Sequence, residues 1–258
     1  MHIKNKEASN SCNNIKDLAN LFYDLEDRYR LIDLEIDNVK VWQCIRYKLF
    51  ISIATKLFDL GAGHQTKRGF FRQIIPMLWN SIRHSALLER PYDIIIFPHT
   101  RLRFVDGEYI DINTHSLKQE FIANDKDFLV LERPNPYGKN HSGKTNKHTK
   151  YIDDSIIFIN LFKRMIRPKM KPSKKILNQL NAEMIDAFNV DIDIQALCKD
   201  AIQKFKASYK FYFFLLKKIR PKQIYLVISY EYPSLVKAAK DLDIEVIEMQ
   251  HGAFSKYH

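Results

Sequence analysis

Apolar residues recur along the chain with two different periods, and the change between them falls near residue 90. Over residues 14–33, Ile15, Leu18, Ala19, Phe22, Leu25, Tyr29 and Ile32 keep the three-and-four spacing of one helical face. Asn13 or Asn14 is placed to cap its start. Residues 39–58 predict a second helix, with Val41, Ile45, Leu49, Ile53 and Leu57 on its stripe. Trp42, Arg46 and Tyr47 sit beside that stripe, and Gly61-Ala62-Gly63 is read as its stop. A third helical stretch is expected from about 69 to 88.

Beyond residue 90 the apolar runs become short, β-branched and bounded by turn residues, the pattern of strands buried on both faces. Asp93-Ile94-Ile95-Ile96-Phe97 ends at Pro98, and Phe128-Leu129-Val130-Leu131 ends at Pro134-Asn135-Pro136. Residues 138–150 read as a polar loop, and Ile156-Ile157-Phe158-Ile159 fits either a strand or a helix start. Helices are expected over 174–188 and 195–219. A strand over 223–228, a short helix over 233–241 and a strand over 244–248 form a βαβ unit, which implies a parallel sheet. The expected fold is α/β: a Rossmann-like parallel sheet with helices on both faces, and a helical amino-terminal layer. The domain reading is a helical layer over 1–90 and a Rossmann-like domain over 91–258, packed as one compact unit.

A chain of 258 residues, 46% hydrophobic and 28% charged, has enough apolar surface for a sizeable core. Cys12, Cys44 and Cys198 lie far apart with no CxxC pair, which argues against zinc knuckles and dithiol redox sites and fits a reducing compartment. The amino terminus is polar and lacks an apolar signal core. The longest apolar run, Phe211 to Leu216, is far short of the roughly 20 residues a bilayer span needs. The expected location is the cytoplasm, with peripheral contact at the inner membrane as an extension of that reading. The net charge of +11 is segregated: residues 133–150, 163–175 and 204–222 hold nineteen of the 41 basic residues and no acid. Such a field favours a polyanionic partner, whether a phosphate-bearing sugar donor, an anionic lipid surface or nucleic acid. Nucleic acid is disfavoured, because helix-turn-helix, zinc and RNP signatures are missing.

In a parallel sheet the carboxyl ends of all strands share one rim, where open α/β sheets bind ligands. His99, Arg101, Arg103 and Asp106 follow the first predicted strand, and Glu132 and Arg133 the second. Ser229, Tyr230 and Glu231 follow the third, and Gln250, His251 and Gly252 the last. Polar residues dominate every loop, but acid, base and imidazole at four exits exceed what turns require. His251-Gly252 is the sharpest feature: glycine lets the backbone approach a ligand, and the imidazole can serve as acid, base or phosphate donor. The ordinary alternative is a structural histidine, and flanking Glu248 and Gln250 favour function. His258 can return to the same site. The spacing of His251 and His258 does not suit a metalloprotease, and no metal is expected. Gly61-Ala62-Gly63 is not a dinucleotide fingerprint, Gly143-Lys144-Thr145 is only the tail of a P-loop, and no GxSxG elbow occurs. Glu231 and Pro233 also suit a plain helix start.

The segment RPKQIYLVISYEYPSLVKAAKDLDIEVIEMQHGAFSKYH resembles bacterial surface-polysaccharide glycosyltransferases of capsule and O-antigen synthesis. The matching residues are Ala238-Ala239-Lys240, Ile247-Glu248, Gln250-His251-Gly252 and His258. Upstream, Arg101, Arg103, Asp106, Gly107, Tyr109 and Asp111 are similar to that family's arginine-rich turn and following stretch. Trp42 and Arg46 resemble its amino-terminal helices. The resemblance implies a GT-B architecture of two Rossmann-like domains, no obligatory metal or other cofactor, and a nucleotide sugar as substrate. It also implies a lipid-linked or glycan acceptor. Since no second βαβ domain follows His258, the chain is expected to be the amino-terminal, acceptor-side half, incomplete as a catalyst until a second domain or chain completes the cleft. In this reading His251 aids proton transfer or donates to phosphate, and Glu231 or Asp106 is the base. Arg101 and Arg103 clamp an anionic sugar or pyrophosphate. His99, Tyr230, Gln250, Gly252 and His258 complete the substrate side. The basic stretch 204–222 either docks on anionic lipid or, as the simpler reading has it, places Phe205, Tyr209, Tyr212, Phe213 and Leu216 in the core beneath snorkelling lysines. The rival from another class is a non-catalytic α/β domain that binds a partner chain or a membrane surface.

Overall fold

The computed structural model describes residues 14–59, 78–79, 81–99, 103–105, 108–133, 148–190 and 192–249. In chain order the elements are α1 (Ile15–Tyr29), β1 (Glu35–Ile36), β2 (Val39–Lys40), α2 (Val41–Phe58), β3 (Ile94–Phe97), β4 (Arg103–Val105) and β5 (Glu108–Ile110). There follow α3 (His115–Ala123), β6 (Phe128–Glu132), β7 (Thr149–Tyr151), α4 (Asp153–Lys163), α5 (Lys174–Phe188), α6 (Ile194–Ile219), β8 (Gln223–Leu226), α7 (Pro233–Asp241) and β9 (Glu245–Glu248). The chain divides into two compact units: Met1–His64 with Arg167–Phe205, and Gln65–Ile166 with Lys206–Lys256.

The first unit is helical. Asn14 caps α1 by accepting the Asp17 N–H at 3.0 Å, and the helix ends at Arg30 in the left-handed region. Leu18, Phe22 and Leu25 of α1 pack with Trp42, Ile45, Leu49 and Ile53 of α2. Leu177, Leu180, Met184 and Phe188 of α5, and Ile194, Cys198 and Ile202 from the start of α6, complete this core. Between α1 and α2, β1 and β2 pair antiparallel across Asp37 and Asn38. Both turn residues have positive φ, 54° and 62°, as a tight hairpin turn with the strands' own twist demands.

The second unit is α/β. Its five-stranded sheet has the order β7-β6-β3-β8-β9 and every pairing in it is parallel. Read by chain order this is 3-2-1-4-5, the first five strands of the doubly wound order 3-2-1-4-5-6. Alternate side chains of each strand serve opposite faces. Ile95, Phe97, Leu129, Leu131, Ile224 and Leu226 pack with Phe211, Tyr212, Leu215 and Leu216 of α6 and Leu235, Ala238 and Ala239 of α7. Ile94, Ile96, Phe128 and Val130 pack on the other face with Phe121 and Leu117 of α3. From β3 to β6 the chain steps one way with α3 on one face; from β8 to β9 it steps the other way with α7 on the opposite face. Reversing both direction and face leaves the two crossovers with the same hand.

Several local expectations change. Ile156-Ile157-Phe158-Ile159, whose sequence fits either a strand or a helix start, lies in helix α4, with Asp153 and Asp154 in its first turn, where carboxylates suit the positive end. The helix expected to reach residue 88 has given way by Ser85. Ser85 bridges Tyr151, and its hydroxyl accepts the Leu87 N–H at 3.0 Å to start a separate 3-10 turn, Ala86–Leu88. The polar stretch ends in β7, which pairs Thr149 with Val130 and Tyr151 with Glu132. Gly61-Ala62-Gly63 lies outside the described residues. Tyr209, Tyr212, Phe213 and Leu216 join the core of the second unit and Phe205 that of the first, as the simpler reading of 204–222 has it. Among the described residues no helix is long and apolar enough to cross a membrane.

Candidate functional site

The chain reverses direction across the sheet between β3 and β8, and in open α/β sheets such a switch point opens a crevice at the carboxyl ends of the strands. Here it holds a shallow hollow of about 190 Å³ that includes open solvent, lined by Phe97, Pro98, His99, Val227, Ile228, Glu231 and Tyr232. Its enclosed space is only about 10 Å³, room for about one water, so the hollow is a surface recess and not an enclosing pocket.

Each wall has a local cause. Pro98 ends β3, and the His99 N–H is held at 2.9 Å by Oδ2 of Asp111, which is 1% exposed. The same carboxylate accepts from the Asn113 N–H at 3.0 Å, the Asn113 side-chain amide at 3.1 Å and the Thr114 hydroxyl at 2.9 Å. Asp111 therefore ties the β3 exit to the start of α3. On the other side, Ser229–Glu231 form a 3-10 turn whose first N–H donates to Glu248 Oε1 at 2.9 Å. Glu248, which the sequence reading took as support for a catalytic neighbour, thus fastens the end of β9 to the β8 exit. Pro233 stands at the first turn of α7.

Arg133, the first residue after β6, joins this group across β3. Its guanidinium lies over the Tyr232 ring, 4.2 Å from the centroid, and donates to Glu231 Oε2 at 2.9 Å. Tyr232 in turn packs on Phe97 with centroids 5.5 Å apart, and Tyr212 meets Phe97 edge-on at 6.2 Å. Burial opposes the Arg133 charge, but Tyr232, Tyr212 and Glu231 favour it, and its pKa is raised. Burial drives the Tyr212 and Tyr232 phenols upward, with the Arg133 charge pulling the other way. Neither phenol is a base at neutral pH.

A second polar group sits at the exits of β6 and β7. Glu132 and Asp153 are buried, and Asp154 accepts a short hydrogen bond from the Ser85 hydroxyl. Burial raises the Asp154 pKa, with the Ser85 bond as the main opposing influence. Tyr151 is pushed up to about 12 by burial and by the Glu132 and Asp153 charges. Burial also lifts the Cys44 and Cys198 thiols, to about 11 and about 12, so neither is a thiolate nucleophile. Among the described residues no three His, Cys, Asp or Glu side chains are grouped to hold a metal.

The structure therefore brings His99 and Glu231 together in one hollow. Tyr232, not Tyr230, lines it; Tyr230 is 49% exposed on the same turn. Arg103 lies on the exposed strand β4 and is not among the lining residues. Arg101, Asp106, Gln250, His251, Gly252 and His258 lie outside the described residues. Met249 continues the ladder from β9, its N–H donating to Leu226 at 2.8 Å, so the Gln250-His251-Gly252 segment follows a strand that pairs with β8. Sequence reasoning named Arg133 as an exit residue without assigning it a role, and missed Tyr232, Asp153 and Asp154. Compared with known proteins, the chain matches no protein-family model, no curated protein and no solved structure.

Proposed function

We propose that the second unit is the acceptor-side, Rossmann-like half of a glycosyltransferase of GT-B type. It would move a sugar from a nucleotide-sugar donor to a lipid-linked or glycan acceptor in surface-polysaccharide synthesis. The observation that carries the reading is the grouping of His99, Glu231 and Arg133 at the switch point between β3 and β8. The sequence resemblance adds Gln250-His251-Gly252 after the adjoining strand. Sugar transfer needs a base for the acceptor hydroxyl and fixed positive charge for the leaving phosphate. Glu231 is the first carboxylate to test as base, with Asp106 second and His251 as the proton-handling imidazole.

Calorimetric titration of the full chain with UDP-, GDP- and CMP-sugars tests the reading. The expected result is saturable binding of one class, and acceptor-dependent sugar transfer once a donor-binding second domain or chain completes the cleft, with that transfer lost in H251A and E231Q. No binding to any donor, or transfer indifferent to both substitutions, would refute it. The rival of a non-catalytic interaction domain draws on one observation: Glu231 is already ion-paired with Arg133 beside a hollow too small to enclose a sugar nucleotide. Donor silence combined with capture of anionic vesicles would favour that rival.

A further inference from the structure

Glu231 cannot act as a base while its carboxylate is bound to Arg133, and the two members of this pair are held very differently. Arg133 is wedged against the buried Tyr232 ring, with a side chain 25% exposed. Glu231 is 42% exposed and stands on a three-residue turn. If the pair opens, Glu231 leaves and the guanidinium stays. A guanidinium fixed on an aromatic face presents a planar fork that fits phosphate oxygens as well as it fits carboxylate.

We propose that Arg133 is the anion-binding residue of this rim, that its ligand is a phosphate or pyrophosphate group, and that Glu231 is a resident substitute which the ligand displaces. Displacement does two things together. It seats the phosphate on a preformed cation at the β6 exit, and it turns the Glu231 carboxylate loose beside His99 in the hollow. The proposal rests on the glycosyltransferase reading only in its choice of pyrophosphate as the anion.

The test is calorimetric titration of inorganic pyrophosphate into the full chain at low ionic strength, in wild type, E231Q and R133Q. E231Q removes the competing carboxylate from an exposed turn and should tighten pyrophosphate up to about fivefold, the range measured for exposed ion pairs. R133Q should weaken it by more than about tenfold, as expected for lost charge-assisted bonds. Thermal melting identifies an R133Q chain that fails to fold, and E231Q then decides alone. Pyrophosphate that does not bind wild type, binds E231Q no more tightly, or binds folded R133Q as well as wild type overturns the proposal. A chain that shows the pyrophosphate pattern but binds no nucleotide sugar, and transfers none when a donor-binding second domain completes it, refutes the enzyme reading and leaves the Arg133 site standing.

Discussion

Glu26 supplies a demanding test of how the first unit is held together. Its side chain is 5% exposed and accepts the indole N–H of Trp42 at 2.6 Å. Arg46 closes a two-point pair on the same carboxylate, one contact short and the other 3.0 Å. Trp42 is itself 1% exposed and stacks on Phe22 with centroids 5.6 Å apart. Cutting Glu26 to alanine leaves a buried indole donor without an acceptor, a cost of about 1–3 kcal/mol. Arg46 also loses its counter-charge. Breaking a fully buried pair costs about 3–5 kcal/mol, but Arg46 is 31% exposed and can rehydrate, so its share is nearer 1 kcal/mol. E26A should therefore destabilise the unit by about 3 kcal/mol, and E26Q, which keeps an acceptor for Trp42, by about half as much. The chain has two tryptophans, and Trp79 belongs to the second unit and is 53% exposed. In a W79F background, urea unfolding followed by the remaining indole reads the first unit. A loss below about 1 kcal/mol for E26A, or equal losses for E26A and E26Q, would refute the reasoning.

Two further outcomes concern the rim. Because burial raises the Asp154 pKa, its contribution to stability is full below the ordinary aspartate value and is lost as pH rises through the raised folded value; D154N should match wild type at pH 4 in thermal melts and exceed it by pH 7. Asp111 holds four donors while almost fully buried, so D111A should cost about 2–3 kcal/mol in denaturant unfolding, whereas D111N should cost clearly less because an acceptor oxygen remains.

The long elements were legible in sequence because their apolar period is unambiguous. The run Ile94 to Phe97 can only be a strand buried on both faces, and all four residues are buried. Elements of two or three residues were not legible. A hairpin with two residues in each strand shows no alternation to count, and its Asp37-Asn38 turn lacks the glycine that usually marks one. β7 is a strand because it lies beside β6, and nothing in Thr149-Lys150-Tyr151 announces that. At the site, Glu231 was legible because it follows a buried strand. Its partner was not, because 98 positions of chain separate Glu231 from Arg133. The choice between Tyr230 and Tyr232 rests on which way a 3-10 turn faces, and a single residue reverses it. Asp153 and Asp154 stayed hidden for as long as residues 156–159 fitted strand and helix equally.

The energetic contrast within the Arg133 group bears directly on what the rim can do. A half-exposed carboxylate on a cation contributes about 1 kcal/mol or less, little enough for a competing anion to exchange with it. The stack of Phe97, Tyr232 and Arg133 is continuous with the sheet core, since Phe97 and Tyr232 belong to the same buried cluster as Ile95 and Leu226. The cation is thus the fixed element and the carboxylate the movable one. A site built the other way, with a buried carboxylate and a mobile arginine, would recruit cations. In the proposed exchange the packing orders the events: the anion takes the cation first, and Glu231 is then released beside His99.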